Sequence, residues 1–421
     1  MFQLLKMRKE QFFVTVFLIT ILVIVFLIAP FTDTVNGFIK ILVSPSVLIT
    51  DYIFIAGLSA TLLNVLLTTF MNLFIVYKLG LKMTGPIFAC LLTIAGFAFF
   101  GKNLFNAIPL YIGIYLYAKV SKTEFKNHII VMLLSSGISP IVSYLIFGLD
   151  IDLLLSIPIG VFTGIFIGLL LPAFNAHALR FHQGYNLYNT GFSMGVISMM
   201  LTGALTSFNQ VIPRSIEVNN DYHFPLLIST IIVSLLFIAY AIISDKEVFK
   251  KYRNLIKSSG RLVTDFVRDH GKEVVALNIG ILGLLVSVVI IVTGVLVNGA
   301  VMGAILTILG FAAFGKHIKN VIPVMLGAGL AIILTPIEFT IGPILALFFV
   351  TGLAPLAGKY GFFAGIIAGF IHLLIVSLAL NFQGGFDLYN NGFAAGFVAA
   401  VLSPIFNTFN ELRGVITDEK N

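Results

Sequence analysis

Apolar runs of about 20 residues recur from residue 12 almost to residue 406, and a helix of that length crosses the roughly 30 Å hydrocarbon core of a bilayer. A soluble core has no use for so many. Of the 421 residues, 59% are hydrophobic and only 10% charged, and mean hydropathy is +1.07, far above globular composition. The polar-apolar alternation of barrel strands is absent, which leaves helices as the only element that satisfies its own backbone in lipid. The chain reads as an all-α polytopic membrane protein with about fourteen apolar segments, at 12–30, 52–77, 83–100, 104–118, 129–147, 153–179, 188–207, 224–244, 274–297, 300–314, 321–334, 341–357, 361–380 and 389–406.

The first run follows Lys6, Arg8 and Lys9 as a secretory signal would, but it is longer than an h-region and no small-residue cleavage site follows, so an uncleaved span is expected. Cys90 stands alone inside an apolar run, which excludes an intramolecular disulfide and a cysteine metal cage. The net charge of +7 comes from Lys and Arg gathered between the apolar runs. That placement serves membrane topology and excludes nucleic acid as the expected partner.

Two stretches occur twice. "TIAGFAFFGKNLFNAIP" from Thr93 and "TILGFAAFGKHIKNVIP" from Thr307 match at eleven of seventeen positions, and "GYNLYNTGFSMG" from Gly184 returns as "GFDLYNNGFAAG" from Gly385. Between them, Gly160, Gly164 and Gly168 align with Gly361, Gly365 and Gly369, a spacing that presents small residues on one helix face for close packing in lipid. The chain therefore reads as an internal duplication. Its parts are 1–51, an N-terminal span and connector; 52–207, the first repeat; 208–273, a linker span with a basic loop; 274–406, the second repeat; and 407–421, the tail.

Charge separates two topologies. If both YN-x-G elements cross the membrane and the N-terminus is cytoplasmic, 22 Lys and Arg lie inside and 3 outside (Lys40, Lys102, Arg214); if both dip and return, the counts are 12 and 13. The positive-inside rule selects the first, with both termini cytoplasmic in an inner membrane. By parity the repeats are then inverted. The basic stretch 246–272 becomes cytoplasmic, placed to lie along an anionic leaflet.

The apolar segment after the second YN-x-G element, 393–404, covers only about 18 Å as a helix. The preceding loop must supply depth in non-helical form, which marks discontinuous helices and, in inverted repeats, a binding site. Its chemistry suits a small polar or anionic solute. Gly184, Gly191, Gly385 and Gly392 permit close backbone approach; Asn189, Thr190, Asn390 and Asn391 supply uncharged donors and acceptors; Tyr188 and Tyr389 add a ring and a hydroxyl. Helices restarting at Phe192 and Phe393 would aim their amides at the loop. Asn186 in one half is Asp387 in the other, and an acid at membrane depth is a candidate for coupling H⁺ or Na⁺ to solute movement. Lys102 and Lys316 end the other duplicated element as candidate anion ligands, although snorkelling to the nearer interface is the simpler expectation. Pro109 and Pro323 are expected to open the following helices at their first position. His177, His182 and His372 lack metalloprotease spacing, and no nucleophile elbow or phosphate loop is present, so neither an enzyme nor a cofactor is expected.

At "LYNTGFSMG" and "LYNNGFAAG", with the paired FGK elements, the chain resembles an uncharacterised family of duplicated bacterial multi-pass membrane proteins, over nearly its whole length. "GYNLYNTG" and "LPAFN" (171–175) are similar, locally, to the Gly-Tyr-Asn-Gly and Leu-Pro-Phe-Asn signatures of urea transporters. The second half departs from both signatures. The expected function is a permease for a small polar or anionic solute that works by alternating access, with a passive urea or amide channel and a non-transporting membrane scaffold or receptor as alternatives. A homo-oligomer is compatible with either.

Overall fold

A computed structural model of the chain describes residues 20, 22–47, 49–212 and 217–412. Most of the first apolar run, Arg214 and the end of the tail lie outside these residues. Among the described residues the chain is helical, with short 3₁₀ turns and a single isolated bridge, Asp51 to Phe100.

Helix α1 (Leu22–Ile28) bends by 108° into α2 (Phe31–Leu42). Then follow α3 (Tyr52–Lys78), α4 (Gly85–Phe97), α5 (Leu104–Val120), α6 (Ile129–Ser135), α7 (Pro140–Phe147), α8 (Leu153–Phe181) and α9 (Asn189–Ser207). The helix α10 (His223–Ser244) leads into two short linker helices, α11 (Val248–Leu255) and α12 (Phe266–His270). The second half holds α13 (Lys272–Thr293), α14 (Gly299–Phe311), α15 (Ile318–Leu334), α16 (Ile341–Phe349), α17 (Ala354–Tyr360), α18 (Phe362–Gln383) and α19 (Asn390–Leu412).

Seven of the described helical stretches are long and apolar enough to cross a membrane (α3, α8, α10, α13, 341–360, α18 and α19), or nine if each bent pair counts as one span. Large apolar side chains face outward on them, such as Phe162 at 70% exposure, Leu236 at 63% and Phe363 at 78%, as lipid-facing surfaces require. The protein is an all-α polytopic membrane protein.

Four of the fourteen apolar segments form helices too short to cross the bilayer alone. Helices α4 and α14 have 13 residues each, α5 and α15 have 17 each, and at 1.5 Å per residue they reach only about 20–26 Å. The FGK sequence separates the two helices of each pair, and α4 lies antiparallel along α14, with Gly85 against Ala313, Gly310 against Ala89 and Gly96 against Gly303. Pro109 and Pro323 do not start α5 and α15. Asn103 with Asn106, and His317 with Asn320, form capping boxes one turn earlier, and a reciprocal cap satisfies two orphan amides where proline satisfies none.

Two further helices are broken. Between α6 and α7 lies a 3₁₀ turn at Ser136–Ile138, and between α16 and α17 another at Val350–Leu353. Pro140 and Pro355, each three residues after a glycine (Gly137, Gly352), remove an amide from the helical ladder there. The glycine stripe on α8 packs as expected, Gly164 on Pro109 and Gly168 on Gly113, with Gly365 and Gly369 on Pro323 and Val324 in the other half. Gly361 departs from it: it precedes α18 at φ +96°, a conformation that glycine alone adopts without strain.

Two aspartates clasp the ends. Asp51 caps α3 and accepts from the amides of Gly299 and Asn219, at 3.3 and 2.9 Å. Asp265, in the linker, caps α12 and accepts from the amide of Gly85 at 2.9 Å. Helices α3 and α13 run between these clasps in opposite directions. Asp265→Ala is expected to cost about 2 kcal/mol by removing a cap and orphaning the Gly85 amide. A fall in the melting temperature of the purified protein, not matched by Asp269→Ala on the exposed face of the same helix, checks this.

Candidate functional site

The first turns of α9 and α19 cross at Gly191 and Gly392, where a Cβ on Gly392 would stand 3.0 Å from the Gly191 Cα. Both helices begin at the asparagine of YN-x-G, three residues before the expected Phe192 and Phe393. The loops before them turn at Asn186 and Asp387 and pair with the opposite half. The Leu187 amide donates to the Gly352 carbonyl and the Leu388 amide to the Gly137 carbonyl, each at 2.9 Å. A broken helix has carbonyls to spare, so each break receives the loop of the other half.

This brings the Tyr188 and Tyr389 rings to 4.9 Å between centroids. On one side, Lys316 Nζ donates to the Tyr188 hydroxyl and, at 2.8 Å, to Thr351 Oγ1, and it lies over the Tyr188 ring at 4.5 Å. On the other, Lys102 Nζ donates to Ser136 Oγ and, at 3.4 Å, to the Tyr111 hydroxyl, which donates to Asn72 Oδ1 at 2.8 Å. The two sides also differ at the tyrosine: the Tyr389 hydroxyl donates to Thr93 Oγ1 at 3.1 Å instead of meeting Lys102.

Neither lysine snorkels. Both are fully buried, held among the hydroxyls and rings just named. Among the described residues no carboxylate lies within ion-pair distance of either amine. Hydroxyls and ring faces offset only part of the cost of burying an ammonium. The turns themselves are held by asparagines in α3 and α13. Asn64 Nδ2 donates to the Ala98 and Lys102 carbonyls at 2.8 and 2.9 Å, and Asn278 Nδ2 to those of Ala312 and Lys316 at 2.8 and 2.7 Å.

The asparagines of the duplicated loops stand apart from this centre. Asn189 pairs with His182 and donates to the Asn175 carbonyl, tying α9 to α8. Asn391 pairs with His372 and with Asn390, tying α19 to α18. Thr190 is buried beside them. Asn186 Nδ2 donates to the Gly392 carbonyl at 2.8 Å, across the two halves. Asp387, fully buried, accepts the Tyr389 amide on Oδ1 at 2.9 Å and has no partner on Oδ2.

Beside the second lysine turn, a cavity of about 190 Å³ opens between the linker, α15 and α17, lined by Lys257, Ser258, His317, Lys319 and Lys359 among others. Among the described residues no group of three His, Cys, Asp or Glu is placed to hold a metal. Asn64 and Asn278, Asp51 and Asp265, and Ser136 and Thr351 do not stand out in the sequence. They were findable, since each pair is 214 or 215 residues apart, and Lys102 and Lys316 are 214 apart.

The family model for DUF1576, described as a protein of unknown function, matches residues 31–207 and 244–408. The chain belongs to this family. The two stretches take in both lysine turns, both broken helices and both YN-x-G elements of this DUF1576 protein. No curated protein and no solved structure matches it, so its likeness to urea transporters rests on the loop and "LPAFN" residues alone.

Proposed function

We propose that the protein carries a small anion across an inner membrane, by alternating access between two halves related as an inverted repeat. One observation carries this: two fully buried lysines with no acid partner among the described residues, each on the hydroxyl of a broken helix, flank the point where two helix N-termini meet. Ammonium groups and helix N-termini both favour negative charge. With no carboxylate at hand, a solute anion supplies it. The substrate-facing groups are Tyr188, Tyr389, Lys102 and Lys316, with Ser136, Thr351 and Thr93 as hydroxyl ligands. Gly191 and Gly392 let the helix ends approach, while Asn189, Thr190, Asn390 and Asn391 hold them in place.

The antiparallel run of α3 and α13, and the clasps at their two ends, support an inverted relation. Whether each of the two short-helix pairs crosses twice or turns back within the membrane, the parity of every other segment is the same, so the charge argument puts the linker and both termini on the cytoplasmic side. The basic cavity then faces the cytoplasm as an anion vestibule. Solute is occluded between the tyrosine rings, and one half rocks against the other around that pair. Asp387 couples an ion to the movement. The protein acts without chemistry on its solute, as a carrier and not an enzyme.

The test is the melting temperature of purified protein against panels of small anions and neutral amides. A ligand that binds only the folded state adds about 2.7 kcal/mol at a hundredfold excess over Kd. Stabilisation by an anion, lost in Lys316→Met, supports the proposal. Stabilisation by amides but no anion would favour the passive channel, and silence across both panels would favour the scaffold.

A further inference from the structure

Among the described residues nine buried side-chain polar atoms have no hydrogen-bond partner; Thr69, Ser139 and His372 carry three of them, and the other six fall into two sets. On α9, Gly191, Gly195, Ser198 and Thr202 share one face, at steps of four, three and four. Against it lie the end of α18 and the loop after it. The Gln383 amide nitrogen rests on Gly195, Ser198 Oγ donates to the Gln383 carbonyl at 2.8 Å, and Gly384 sits beside Thr202 Oγ1. Thr202 Oγ1, Gln383 Oε1 and Nε2, and Asp387 Oδ2 are unpartnered. On α19, Gly392, Gly396, Ala399 and Ser403 take the same places, and the end of α8 supplies His182 where α18 supplies Gln383. There Ser403 Oγ and His182 Nδ1 are unpartnered. The two faces run from the Gly191–Gly392 crossing toward opposite ends of the molecule. Thr202 lies near Ile212, and Ser403 lies near Tyr360 and Asn407.

A buried polar atom without a partner is costly, and bound water is the ordinary remedy in a polar site. The rows differ where they reach the crossing. Asn186, whose amide is used, stands on the Gly392 carbonyl at the start of one. Its counterpart Asp387 holds the amide of Tyr389, the residue on which Gly191 packs at the start of the other, and its second oxygen has no partner.

We infer that Asp387 exchanges a proton with the Thr202 end of the protein through water held by Gln383, Ser198 and Thr202, and that this proton is the coupling ion. On release, the O–H bond at Asp387 Oδ2 breaks and the proton passes to the first water and along the row to bulk solvent; loading is the reverse. One observation favours a proton over Na⁺: Gln383 Nε2 is a donor in the row, whereas a Na⁺ site is built from oxygens. The titratable groups around Asp387 are Tyr389 on its own segment, Tyr188 across the crossing, Tyr144 against Phe386, His372 on α18, and Lys102 beyond the Leu388–Gly101 contact. By the topology above, the Thr202 end faces outward, so the proton loads from outside in this conformation.

The coupling role rests on the transport proposal; the proton row does not, and its test needs no solute. In liposomes holding the full chain, infrared spectra should show the carbonyl stretch of a protonated carboxyl that is lost in Asp387→Asn. In D2O that band should shift, and the shift should slow by about tenfold or more in Gln383→Leu and in the near-isosteric Thr202→Val, each removing a polar group that holds the water. Ser403→Ala, on the other row, should leave the rate unchanged. No band assignable to Asp387, a band that never exchanges, or exchange unaffected in Thr202→Val overturns the row. A band abolished by Na⁺ at constant pH makes the site a cation site and overturns the proton. If the row stands while no anion stabilises the protein, the transport proposal fails and the row survives.

Discussion

Lys316→Met is expected to raise the melting temperature while abolishing stabilisation by any anion that protects the wild type. Methionine keeps the length and apolar stem of lysine and removes a charge that no acid balances. Replacing buried charge by a well-packed hydrophobe of similar volume stabilises by about 1–3 kcal/mol. Little is orphaned by the change, because the Tyr188 and Thr351 hydroxyls already stand 3.4 Å apart and Thr351 donates to the Phe348 carbonyl at 2.7 Å. A lysine kept for structure would give the opposite result, a fall in stability with ligand binding intact. Lys102→Met should behave alike in binding, with a smaller gain in stability, since the Tyr111 hydroxyl and Asn72 remain as a polar pair beside the new methyl group.

The largest destabilisation is expected from Asn278→Leu. Asn278 donates to two buried carbonyls of the second lysine turn, and its oxygen accepts from the Tyr252 hydroxyl of the linker at 3.1 Å. Leucine fits the space and leaves those groups unpaired, at about 1–3 kcal/mol for each group without another partner, so a total of about 3–6 kcal/mol is expected. Asn64→Leu should cost less. It orphans the matching carbonyls of the first turn, but its oxygen meets only Thr68, at 3.4 Å. Thermal melts of both variants in the same detergent give the comparison. Equal and small losses would mean that the lysine turns are held by their flanking helices alone.

The membrane class was plain in the sequence because hydrocarbon thickness and backbone satisfaction leave no other fold for such runs. The two duplicated motifs pointed to the centre, and the tyrosines of YN-x-G do lie there. Which groups surround them was not legible. Lys102 and Lys316 looked like interfacial residues because a run of apolar residues says nothing about how its end is packed, and the hold of Asn64 and Asn278 on the two buried FGK turns decides that. The loop asparagines looked like ligands by chemistry alone, yet their histidine partners come from α8 and α18, a pairing set by packing. Ser136 and Thr351 carried no motif, since the break that exposes their hydroxyls depends on Gly and Pro three residues apart in an otherwise ordinary helix. The unpartnered row beside α9 needed the placement of Gln383 against Gly195, which only the crossing of the halves determines.

The central claim is that a small anion passes between the two lysines. The most direct measurement is flux in liposomes carrying the purified protein, with an anion gradient imposed across the membrane and the interior anion followed in time. The account predicts protein-dependent flux of a small anion that disappears in both Lys102→Met and Lys316→Met while the variants remain folded. Flux that survives both substitutions, or no flux of any small anion through a folded wild-type protein, would contradict it.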